Sequence, residues 1–108
     1  MKPTITLFAI SLALAASAPA LAGGNAEAGK AKSTVCAGCH GPDGNSPTPL
    51  FPMLAGQHAD YLLHSLRSYK NGKRKNPIMQ GQVASLSDRD MEDLAVFFSR
   101  QHGLIQKY

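Results

Sequence analysis

Cys36-Ala37-Gly38-Cys39-His40 constrains this chain more than any other stretch in it. Two thiols three residues apart, with a histidine directly after the second, form the pattern of a covalent c-type haem attachment site. One helical turn separates the two sulfurs by the distance between the vinyl groups of a haem. The adjacent imidazole can then take the iron from one side of the ring. The alternatives for two cysteines are weaker. A disulfide across so short a gap closes a small loop and constrains little of the chain. A redox dithiol needs a βαβ setting, and the sequence after residue 22 is poor in strand formers. A zinc site needs further ligands at suitable spacing. One covalent haem accounts for both cysteines of the chain.

The compartment follows from the first residues. Lys2 supplies a positive start, residues 5–18 are mostly apolar, and Ala20-Leu21-Ala22 reads as a small-x-small cleavage site. This predicts a cleavable signal peptide over residues 1–22 and a single domain over residues 23–108, delivered to a periplasm. No later run is apolar enough to suggest a transmembrane span. A domain of this length is near the lower limit for folding on its own apolar burial, so the chain is expected to wrap its cofactor and to depend on it.

The formal net charge is +4, one unit of which belongs to Lys2. A basic cluster at Lys70, Lys73, Arg74 and Lys75 faces, in sequence, an acidic one at Asp88, Asp90, Glu92 and Asp93. No aromatic residues interleave the basic run, which argues against nucleic-acid binding.

The pattern of apolar residues predicts an all-α chain with long irregular connections. A first helix is expected over residues 23–36, capped by Asn25, with Gly29 inviting close approach of another helix. Prolines and glycines over residues 41–57 require a loop, whose Leu50, Phe51, Met53 and Leu54 are suited to cover a haem face. A second helix over residues 60–69 presents Leu62, Leu66 and Tyr69 on one side, leaves His64 to solvent and stops at Gly72. Residues 73–85 read as a second irregular region. Ser87 and Asp90 form a capping-box variant for a last helix whose inner face is Met91, Leu94, Ala95 and Phe98.

On these residues the chain resembles a small bacterial class I cytochrome c, of the periplasmic monohaem type and similar to one half of a dihaem cytochrome. The resemblance is carried by Cys36-Ala37-Gly38-Cys39-His40-Gly41, Pro52-Met53-Leu54-Ala55-Gly56-Gln57, the Tyr61-Leu62 helix, Gly72-Lys73-Arg74, the segment around Met79, and Leu86-Ser87-Asp88. It implies three main helices plus long loops around one haem c, with Cys36 and Cys39 as the thioether attachments. It also implies first and last helices that cross at a glycine and an aromatic, here Gly29 with Phe97 or Phe98. The Pro52 carbonyl would accept the Nδ1 proton of His40, and Arg74 and Tyr61 become candidates for the haem propionates.

The second axial ligand has several candidates. Met53 falls in the loop expected beside His40, Met91 on the apolar stripe of the last helix, and His58 in a loop after Gly56. Position in the family favours Met79, giving a His40/Met79 iron. Such an iron has no open site, which suits a non-enzymatic electron carrier. Its donor would be a cytochrome bc-type complex or a dehydrogenase, and its acceptor a terminal oxidase or reductase. The competing expectations are a cytochrome subunit of a periplasmic dehydrogenase complex, and a haem enzyme or gas sensor with an open sixth site.

Overall fold

The computed structural model describes Met1 and residues 23–104; the expected signal peptide lies outside the described residues apart from Met1. All regular structure among them is helical: α1 (Ala26–Lys32), α2 (Thr34–His40), α3 (Ala59–Lys70), α4 (Pro77–Val83) and α5 (Asp88–Ser99). The expected first helix is present but broken and longer. Asn25 caps it, accepting from the Ala28 N–H at 2.9 Å. At Ser33 the hydroxyl donates to the Lys30 carbonyl at 2.8 Å, and the chain restarts as α2. Local competition of a serine hydroxyl for the carbonyls of the preceding turn is the physical reason.

Helix α1 crosses α5, α3 packs on α5, and α4 packs on α3. The α1–α5 crossing is backbone against backbone. A Cβ on Gly29 would lie 2.0 Å from the Asp93 carbonyl oxygen and 2.7 Å from the Phe97 Cβ. Of the two aromatic partners expected for Gly29, Phe97 is among its nearest neighbours. The buried cluster comprises Leu62, Leu94, Ala95, Phe97 and Phe98, with Cys36, Leu54, Leu63, Leu66 and Leu86 packed against it. Helix α5 starts as expected: Asp90 N–H donates to Ser87 Oγ at 3.0 Å, and Ser87 N–H donates to Asp90 Oδ2 at 2.9 Å.

The crossing also buries a charge. Asp93 is 2 % exposed. Its Oδ1 accepts from the Asn25 N–H at 2.7 Å and its Oδ2 from Lys32 Nζ at 2.6 Å, so both oxygens are engaged. A buried carboxylate is tolerated only when paired and hydrogen-bonded in this way.

The loop over residues 41–57 is irregular, as its prolines require, and it is stitched in place. Leu54 N–H donates to the Gly44 carbonyl at 2.8 Å, and Gly56 N–H to the Phe98 carbonyl at 3.0 Å. The second irregular region is a correction. Residues 77–83 form α4, with Met79 in its first turn. Asn76-Pro77 is the reason: asparagine is a strong N-cap, and proline, lacking an N–H and fixed in φ, is favoured at the first helical position. The glycine that argued for a loop, Gly81, meets nothing within 4 Å and is merely tolerated.

Candidate haem-binding site

Helix α2 carries the attachment motif. Cys36 and Cys39 lie one turn apart on it, and His40 is its last residue. Gly41 ends the helix at φ 82, where a side chain would be strained, and its N–H donates to the Ala37 carbonyl at 3.0 Å. The chain thereby turns away immediately after the imidazole. His40 is 6 % exposed. Its Nδ1 lies 2.8 Å from the Pro52 carbonyl oxygen, and Phe51 meets the ring edge-on with centroids 6.4 Å apart. A carbonyl can only accept, so this contact places the proton on Nδ1 and leaves the Nε2 lone pair available to a metal. Burial pushes the Cys36 thiol pKa above its ordinary value.

These side chains line one cleft of about 390 Å³. The loop contributes Leu50, Phe51, Pro52, Met53 and Leu54; α3 contributes Tyr61, Leu62, Leu66 and Tyr69. Helix α4 adds Ile78 and Met79, and α5 adds Leu94, Ala95 and Phe98. Val35, Leu50, Met53, Tyr61 and Ile78 are large hydrophobic residues left exposed, and all of them line this cleft. Exposed apolar surface gathered at one concavity marks a binding site. Its walls are apolar, and its donor set is two thiols, an imidazole and the thioethers of Met53 and Met79. That combination fits a covalently attached porphyrin.

The candidates separate by position. Cys36, Cys39, His40, Pro52, Met53 and Met79 line the cleft, as do Tyr61 and Arg74. Met91 is 3 % exposed inside the helical core and His58 sits at the start of α3; neither lines the cleft. Met53 follows Pro52 directly, and its sulfur accepts from the Ser46 N–H at 3.2 Å. His64 is exposed on α3. Val35, Gln57, Asn76 and Gln82 also line the cleft and were not singled out from the sequence. Only Asn76 had a readable signal, as the residue before a proline at a helix start.

An all-helical shell whose exposed apolar side chains converge on two thiols and an imidazole defines a covalent haem protein. The chain belongs to the cytochrome c family: the family model described as Cytochrome c matches residues 26–100. Membership implies a covalently held haem c. Cytochrome c4 of Pseudomonas aeruginosa is 47 % identical over 95 residues, covering 88 % of this chain and 47 % of the relative. Cytochrome c-554(548) of Halomonas halodenitrificans is 41 % identical over 81 residues, covering 72 % of this chain and 98 % of the relative. A Thiosulfate dehydrogenase electron acceptor of Stutzerimonas stutzeri is 44 % identical over 62 residues, covering 56 % of this chain and 29 % of the relative. The crystal structure of reduced recombinant cytochrome c4 from Pseudomonas stutzeri superposes with a TM-score of 0.72 at 48 % identity, covering 76 % of this chain and 48 % of that one. The chain thus spans about half the length of the cytochrome c4 relatives it matches, and corresponds to one half of a dihaem cytochrome.

No helix among the described residues is long and apolar enough to cross a membrane.

Proposed function

We propose that this chain is a periplasmic electron-transfer protein that carries one electron on a single haem c. Residues 1–22 serve as its export signal and residues 23–108 form a cytochrome c domain. The observation that carries the reading is that His40, hydrogen-bonded through Nδ1 to Pro52, lines the same cleft as Cys36, Cys39 and Met79. When bound, the haem supplies a one-electron ferrous/ferric couple. Cys36 and Cys39 hold it, each by adding its S–H across a vinyl double bond. The Pro52 carbonyl orients His40 and raises the basicity of Nε2 for the iron. Met79 would offer its sulfur to the iron together with His40, and the apolar walls would keep water away from that pair.

The ligand pair is tested by three variants read in the near-infrared charge-transfer band of the ferric protein that reports thioether ligation. Met79→Ala is expected to lose the band, while Met53→Ala and Met91→Ala keep it. Retention in Met79→Ala would overturn the assignment.

The donor is a cytochrome bc-type complex or a dehydrogenase, and the acceptor a terminal oxidase or reductase. The similarity to an electron acceptor of thiosulfate dehydrogenase supports a dehydrogenase donor. The same similarity favours a second reading, in which the chain is the cytochrome subunit of a stable dehydrogenase complex. Co-purification of a catalytic subunit at stoichiometric yield distinguishes that from a diffusing carrier.

A further inference from the structure

We infer that Asn76 is a positioning residue for the axial thioether: its side-chain oxygen clamps the backbone from which Met79 enters the cleft. The inference rests on Met79 as the second iron ligand. Asn76 Oδ1 accepts from two N–H groups at once, those of Ile78 and Met79, each at 3.1 Å. Met79 is the third residue of α4, so its N–H has no carbonyl within the helix to bond. The side chain of Asn76 is its partner.

Two sequence features build this clamp. Pro77 disfavours helical geometry in the residue before it, which drives Asn76 into the extended conformation an N-cap requires. Asn76 has φ −157 and ψ 109 accordingly. Pro77 also has no N–H, so the amide oxygen serves Ile78 and Met79 without competition.

Helix α4 has seven residues, too few to persist on propensity alone. Val83, 1 % exposed, anchors its far end by burial. At the near end the Asn76 cap fixes the backbone from which Ile78 and Met79 reach the cleft, so loosening the cap loosens the hold on the sulfur.

Cyanide titration of the ferric haem-loaded protein tests this, because cyanide competes with the thioether for iron. Asn76→Ala is expected to bind cyanide about three- to tenfold more tightly, the range that loss of one cap supports. Asn76→Ser and Asn76→Asp, which retain a capping oxygen, should stay near the parent value. An unchanged cyanide affinity in Asn76→Ala, or an equal tightening in Asn76→Ser and Asn76→Asp, would overturn the positioning role. Met79→Ala serves as the separate control: if it keeps the thioether band, the ligand assignment itself has failed, independently of Asn76.

Discussion

At the scale of single residues, the least expected feature is the carboxylate at the α1–α5 crossing. Asp93 is held below the usual carboxylate range first by the Asn25 N–H and then by Lys32. Asp90, bonded to Lys32 at 2.7 Å and to the Ser87 N–H, is lowered to about 2. Both pKa values are depressed in the folded chain. They therefore contribute stability above the unfolded value of about 4, and that contribution is lost as pH falls through the folded values. The haem-loaded protein is expected to lose stability between about pH 4 and pH 2. Asp93→Asn should lower stability at pH 7 and show a shallower acid decline. Denaturation series at pH 7, 4 and 2.5 measure both, and a parallel decline in the two proteins would contradict the assignment.

At the scale of elements, most of the fold was legible where one residue type has one physical use. Asn25, Ser87 with Asp90, and Gly72 each mark a helix end, and each end was found within a few residues of its mark. Two elements were not legible. The break at Ser33 comes from a single hydroxyl bond to Lys30, which competes with helix continuation too evenly for sequence to decide. Helix α4 was hidden because Pro77 and Gly81 are breakers in a helix interior, yet proline at the first position favours the helix and the glycine occupies open space. The cleft residues from α2 were legible through their spacing. Gln82 was not, because nothing local says that the far turn of α4 faces the cleft. The two helical glycines turn this into a prediction of opposite sign. Gly81→Ala should stabilise by about 0.5–1 kcal/mol, since alanine is the better helix former and nothing opposes its methyl group. Gly29→Ala gains the same propensity but drives its Cβ to 2.0 Å from the Asp93 carbonyl, and should lose about 1–3 kcal/mol net. Thermal unfolding of the two haem-loaded variants gives the signs directly.

At the scale of the whole molecule, the charges are sorted in a way the sequence order conceals. The acidic residues 88, 90, 92 and 93 lie opposite the basic residues 70, 73, 74 and 75 in the chain, and mutual neutralisation would be the simplest arrangement. The fold does otherwise. Asp90 and Asp93 pair with Lys32, Asp88 and Glu92 with Arg67, and Glu92 and Asp93 also with Arg89. Among the described residues no ion pair joins the basic set. Lys70 donates to the Leu86 carbonyl, Arg74 lies 4.7 Å over the Tyr69 ring, and Lys73 and Lys75 are exposed. Arg74 lines the cleft, so the basic set places a positive field at the edge of that site. Such a field steers an acidic partner to that edge and raises the encounter rate by an amount that salt removes, because the Debye length falls to about 8 Å at physiological ionic strength. The second-order rate of electron transfer to an acidic redox protein is therefore expected to fall at least about tenfold between 10 mM and 500 mM salt. Lys73→Glu combined with Lys75→Glu should flatten that slope while leaving the haem spectrum unchanged, since neither side chain lines the cleft. Stopped-flow kinetics across the salt series measures the slope, and an unaltered slope in the double variant would move the docking face away from this edge.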